Sequence, residues 1–141
     1  MKMSDTIEFK TSIQTKEFCR LREVVGFQKL TAEQVETVLS NTQILVNAVN
    51  DGRSVGVVRV LTDFVTDTYI TDVIVNPDFQ GKGLGKQLVK KALGHLKEHS
   101  VEEVKLACSL YANPGKEPFY AKFGFQELPN DKYGYGMLIE L

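Results

Sequence analysis

Between residues 76 and 86 the chain reads Asn76-Pro77-Asp78-Phe79-Gln80-Gly81-Lys82-Gly83-Leu84-Gly85-Lys86. Proline has no N–H to give a ladder, so it closes the apolar strand-like run that precedes it. Glycines at 81, 83 and 85 allow a tight turn and bring backbone N–H groups close to a ligand. From Leu84 onward, Leu88, Ala92 and Leu96 recur at steps of four. That is the apolar stripe of a helix lying on a core. Strand, glycine turn and helix must therefore follow one another, which demands a sheet with a helix on its face.

The same stretch points to an anion. The first N–H groups of a helix have no acceptor within it, and the macrodipole adds partial positive charge there. Phosphate suits such an end. Residues 80–97 hold Lys82, Lys86, Lys90, Lys91 and Lys97 and no Asp or Glu, in a chain whose net charge is -1. Lysine in a first helical turn opposes the macrodipole, and a bound anion resolves that conflict. The nucleoside-triphosphate pattern G-x-x-x-x-G-K-[ST] fails, because Gln80 stands where its first glycine belongs and Gln87 follows Lys86. The dinucleotide pattern G-x-G-x-x-G fails at Lys86.

The rest of the chain sets bounds. Its 141 residues suit one domain, expected to span residues 1–141. With 17 basic and 18 acidic residues there is no global field to hold nucleic acid or an anionic membrane, so neither partner is expected. No apolar run is long enough to span a bilayer, and Met1 to Lys10 lacks the apolar core of a signal peptide. Cys19 and Cys108 are far apart among apolar neighbours, as reduced thiols in the cytoplasm would be. Two Cys and two His cannot build a zinc site at the usual spacings, and His95 and His99 lack a third ligand, so no metal is expected.

Periodicity predicts a strand at Ile7 and Phe9, a helix over 15–25, and a second helix opened by the capping box Thr31/Gln34. Ile44 to Val49 and Val55 to Leu61 read as a hairpin about Asp51-Gly52, and Tyr69 to Val75 as a further strand. After the glycine loop and its helix come a strand from Val101 to Cys108, a short helix from Pro118 to Lys122 stopped by Gly124, and a last strand from Tyr135 to Leu141. A short strand at Phe125 to Leu128 is also considered. The class is α+β: a mixed, mostly antiparallel sheet of six to seven strands flanked by about four helices.

Two segments resemble the GNAT superfamily of acetyl-CoA-dependent N-acetyltransferases. Gln80, Gly83 and Gly85 fit its Q/R-x-x-G-x-G/A segment, and Asn113 with Tyr120-Ala121-Lys122-Phe123-Gly124-Phe125 is similar to its N-x(6)-Y-x-K-x-G-F segment. The likeness covers about residues 44–128 and implies the GNAT fold. It implies that Val73 and Val75 hydrogen-bond the pantetheine arm through main-chain groups. The loop of Gln80, Gly81, Lys82, Gly83, Leu84, Gly85 and Lys86 would bind the diphosphate, and Asn113 would contact the pantetheine or the Tyr loop. Tyr120 would be the general acid that protonates the leaving thiolate. A base for the amine is less marked; Asp72 is placed best, with Asp63, Asp67 and Glu23 behind it.

The implied activity is acyl transfer from acetyl-CoA, as cosubstrate and without metal, to a primary amine of an unidentified small molecule such as an arylalkylamine. Acetylation of protein or peptide amines and a non-catalytic acyl-CoA-binding regulatory module stand as alternatives. A homodimer is left open, as are the amine and the use of other acyl-CoAs.

Overall fold

A computed structural model describes residues 6–141. Met1–Asp5, the start of the segment read above for a signal peptide, lie outside the described residues. The chain divides into two compact units, Met1–Leu110 and Tyr111–Leu141.

In the first unit the order is β1 (Glu8–Lys10), α1 (Thr15–Val24), α2 (Ala32–Ser40), β2 (Ile44–Asn50), β3 (Arg53–Thr62), β4 (Asp67–Val75), a 3-10 turn (Pro77–Phe79), α3 (Leu84–His99) and β5 (Ala107–Leu110). The strands lie side by side in that same order in one sheet. The first four pair antiparallel, and β4 pairs parallel with β5 across α3. Local chemistry sets the boundaries. Thr31 and Gln34 exchange side-chain and backbone bonds of 3.1 and 2.9 Å at the start of α2, the capping box read from the sequence. Asp51 and Gly52 both take positive φ, 48° and 77°, at the β2–β3 turn, as the tight hairpin there requires.

The core lies on both faces of the sheet. Phe18 and Leu21 of α1 and Val35 of α2 pack with Leu45, Val57 and Ile74 on one face. On the other, α3 turns inward the stripe Leu84, Leu88, Ala92 and Leu96, with Val89 beside it, all buried. One strand residue makes that contact close. A Cβ on Gly56 would sit 3.0 Å from Leu88 Cδ1, 3.3 Å from Leu84 Cδ2 and 3.2 Å from the Ile74 carbonyl oxygen. Its absence lets the first turns of α3 settle on β3 and β4.

The second unit holds α4 (Glu117–Ala121), whose chain stops at Gly124 with φ 100°. Beyond it a turn at Asn130 is closed by the Asn130 N–H on the Tyr133 carbonyl, 2.8 Å.

The sheet has five strands among the described residues, against six to seven expected. Three readings change. The strand expected from Val101 to Cys108 begins only at Ala107; Val101 and Val104 are exposed in a turn. The segment 135–141 carries the alternation of a strand but forms no ladder, and neither does the short segment 125–128. Alternation gives a strand a face, whereas only a paired neighbour satisfies its N–H and C=O groups.

Candidate active site

Strand β4 presents an open edge. Its pairing with β5 ends at Ile70↔Leu110, so Thr71 to Val75 run on past the end of β5. Asn76 donates its N–H to the Val55 carbonyl, 2.9 Å, towards β3. Successive N–H groups of an extended strand alternate sides. The N–H groups of Val73 and Val75 therefore face away from β3, into the gap left where β5 stops. Gln80 Nε2 donates to the Val75 carbonyl on that same side, 2.9 Å. This glutamine thus ties the loop back to the strand end.

The glycine loop leads from there to α3. Gly81 and Gly83 have φ of 77° and 80°, and Gly83 is the N-cap of the helix in left-handed conformation. A side chain at either would meet no protein atom within 4 Å, so glycine is needed for conformation rather than for room inside the protein. The first intrahelical bond runs from the Gln87 N–H to the Gly83 carbonyl, 3.2 Å. The N–H groups of Leu84, Gly85 and Lys86 precede it in the first turn, where no residue of the helix can accept from them. Leu84 anchors the turn in the core, while Lys86 is exposed. Lys82 lies 5.7 Å from the Phe79 ring centre and 3.5 Å from the Asp78 carbonyl oxygen, folded over its own turn. No acidic residue stands in the first turn of α3. Diphosphate chemistry fits what is present.

Asp72 is buried, with Oδ2 2.8 Å from Arg59 Nε. It is committed to an ion pair. Asp63 sits in the β3–β4 turn, where three backbone N–H groups (Val65, Thr66 and Asp67) hydrogen-bond its carboxylate and hold its pKa well below the ordinary range. It caps a loop. Asp67 begins β4 and is exposed, and Glu23 lies near Lys29 at the end of α1. Cys108, on β5, has its thiol pushed up to about 11 by burial. It is no thiolate nucleophile at neutral pH. His99 Nδ1 is 2.8 Å from the His95 carbonyl oxygen. Among the described residues no three His, Cys, Asp or Glu side chains gather.

A cleft of about 470 Å³ is lined by Gln14, Lys16, Glu17, Arg20, Gly52 and Arg53, away from the glycine loop. Its charges serve the fold. Glu17 accepts from Arg20, Arg53 and the Ser54 N–H, 2.8 Å for the last, and Arg20 donates to the Ser54 carbonyl at 2.6 Å. This pins α1 to β3. Arginine beside it holds the Glu17 carboxyl at about 2.

In the second unit Tyr120 packs edge-on to Phe119 and Phe125, ring centres 4.9 and 6.0 Å away. Burial raises its pKa above the usual 10. The phenol stays protonated at neutral pH, as a donor must. Asn113 is exposed and its carbonyl accepts from the Lys116 N–H, 2.9 Å, in the turn before α4.

The model of the acetyltransferase (GNAT) family matches residues 12–125. The chain belongs to the GNAT family. Its sequence is 30% identical over 144 aligned positions to an uncharacterized N-acetyltransferase, ycf52, of Pyropia yezoensis, covering 94% of this chain and 80% of that one. The corresponding protein of Porphyra purpurea is 31% identical with the same coverage. Among solved structures, a probable acetyltransferase of unknown function from Staphylococcus aureus superposes with a TM-score of 0.81 at 28% identity, covering 96% and 100% of the two chains. Glucosamine-6-phosphate N-acetyltransferase of Arabidopsis thaliana shares the fold, with a TM-score of 0.71, 17% identity, and 93% and 99% coverage. The GNAT fold expected from the two motifs is the fold of this chain. The family match spans residues of both units.

Sequence reasoning missed Gly56, which seats α3, and the Arg59–Asp72 pair. A glycine inside the apolar run Val55-Gly56-Val57-Val58 was the available signal for the first.

Proposed function

We propose that this GNAT protein moves an acetyl group from acetyl-CoA to a primary amine of a small molecule, by direct transfer within a ternary complex. The observation that carries this reading is the continuity of donors. The outward N–H groups of Val73 and Val75 lead to the turn at residues 81–86, and so to the unpaired N–H groups at the start of α3. Such a track suits an amide-bearing arm ending in a diphosphate.

In this mechanism the arm adds as a short strand along Val73 and Val75. Gly81, Lys82, Gly83, Leu84, Gly85 and Lys86 surround the diphosphate, Gln80 keeps the loop on the strand end, and Asn113 contacts the arm. The neutral amine attacks the thioester carbonyl carbon. A β4 N–H stabilises the developing oxyanion. Collapse breaks the carbon–sulfur bond, and Tyr120 gives its proton to the departing thiolate. The proton lost by the amine passes to water, since the Asp72 carboxylate is held by Arg59. The raised Cys108 thiol supports direct attack over an acyl-cysteine route. We place the chain in a reducing compartment, with Cys19 and Cys108 both free. Cytoplasm fits this, as does plastid stroma, two relatives being named chloroplastic.

A panel of primary amines with acetyl-CoA, read by free-thiol release, tests the proposal. Amine-dependent release with at least one small amine is expected. Tight acetyl-CoA binding with no release from any amine would favour a non-catalytic module instead.

A further inference from the structure

Strand β4 is not regular. Its register with β3 slips between Arg59↔Asp72 and Val60↔Ile70, leaving Thr71 without a partner. This is a β-bulge, which bends a strand and re-aims the groups beyond it. It falls at the point where β5 pairing ends, immediately before Val73. Sequence alone gives no reason for a bulge in Thr71-Asp72, two ordinary strand residues.

The Arg59 guanidinium spans the irregularity. Nε donates to Asp72 Oδ2 at 2.8 Å, Nη2 reaches Thr71 Oγ1 at 3.5 Å, and Nη1 donates to Thr42 Oγ1 at 3.1 Å. Thr42 is itself fixed, donating to the Val38 carbonyl of α2 at 2.9 Å. Both charged side chains are close to buried, 12% and 8% exposed for Arg59 and Asp72. A buried ion pair contributes little net stability compared with apolar residues of the same size. What such a pair can provide is a fixed geometry, here at two consecutive bulge residues tied to a helix end.

We propose that Arg59 is a positioning residue for acyl transfer: with Asp72 as its anchor it holds the Thr71 bulge, and so sets the course of β4 along which Val73 and Val75 take the arm and a β4 N–H meets the thioester carbonyl. Asp72 is then the arginine's counter-charge and not the proton acceptor for the amine. The inference rests on the acetyl-CoA reading above and assigns a part of the site that the motifs do not contain.

The test reads the carbonyl directly. The infrared carbonyl stretch of acetyl-CoA bound to the protein reports how well an N–H donor is aimed at it, and needs no amine. In wild-type protein the band shifts to lower frequency on binding. In Arg59→Met at least half of that shift is lost, while acetyl-CoA affinity falls less than about ten-fold. With the fastest amine of the panel, kcat falls on the order of a hundred-fold, as for loss of one oxyanion donor. Asp72→Asn keeps an acceptor for Arg59 Nε, so its band shift is retained, kcat stays within about ten-fold, and the acid limb of the pH–rate profile remains. Should Arg59→Met not fold, Arg59→Met with Asp72→Leu replaces the pair by apolar groups; it folds and still loses the shift. A wild-type band shift and kcat in the Arg59 variants, or loss of the acid limb in Asp72→Asn, would overturn the inference. Failure of wild-type protein to bind acetyl-CoA would instead sink the reading on which it rests.

Discussion

Gly56→Ala probes how the site is built, because this glycine sets the distance between α3 and the sheet. The added Cβ would stand 3.0 Å from Leu88 Cδ1 and 3.3 Å from Leu84 Cδ2, against about 3.5–4.0 Å for comfortable carbon contacts. Neither leucine can swing clear easily, since both are buried. The third neighbour, the Ile74 carbonyl oxygen at 3.2 Å, is backbone and belongs to β4. Overpacking of this kind costs about 1–3 kcal/mol. Reduced freedom of the unfolded chain returns about 0.4–1 kcal/mol. A net loss of about 1–2 kcal/mol corresponds to a Tm lower by roughly 3–7 °C for a chain of this size. Relief comes by lifting the first turns of α3, which carry the loop N–H groups, so acetyl-CoA affinity should drop several-fold as well. Gly94→Ala is the control. It lies in the same helix with open space at its Cβ, so it should raise the Tm through helix propensity. Calorimetry with and without acetyl-CoA, plus titration of acetyl-CoA, decides it. A Gly56→Ala protein as stable as wild type, with unaltered affinity, would refute the packing account.

Gly83→Glu puts a side chain at φ 80° and a negative charge at the helix start, so CoA binding by titration should be abolished. Tyr120→Phe removes the proton donor while keeping the ring that packs on Phe119 and Phe125; turnover should fall on the order of ten- to a hundred-fold with CoA affinity nearly intact. Glu17 has its folded pKa lowered from 4.5 to about 2, mainly by Arg20. Its stabilisation is therefore complete above about pH 4.5 and lost as pH falls towards 2. Glu17→Gln should cost on the order of 2 kcal/mol at pH 7, discounted for the solvent-facing Arg53, and should flatten the acid limb of a denaturation series over that window.

The elements legible in the sequence were those specified by neighbours in the chain. Thr31 and Gln34 cap a helix whatever lies elsewhere, Asp51-Gly52 sets its own turn, and the four-residue stripe from Leu84 to Leu96 declares a helix face. The glycine loop was readable for the same reason. What was not legible depends on partners distant in sequence. The Thr71 bulge is a register slip between two strands, and its clamp joins residues 42, 59, 71 and 72 from three places in the chain. Asp72 was read as a base from its place on the strand, and nothing near it in sequence names Arg59 as its ion-pair partner. Val104 alternates in step with the half-buried Leu106, Cys108 and Leu110, so the pattern extends the strand backwards, but a turn closed by the Val104 N–H on the Val101 carbonyl, 3.1 Å, takes residues 101–104 out of the ladder. Tyr135, Met137, Ile139 and Leu141 alternate as a strand would and remain exposed, with no paired neighbour.

The crystal structure of the protein grown with CoA tests the central claim most directly. The account predicts diphosphate oxygens about 3 Å from backbone N–H groups between Gly81 and Lys86, with the pantetheine amides paired to Val73 and Val75. CoA bound elsewhere, or a diphosphate held by lysine side chains alone with the loop N–H groups turned away, would contradict it.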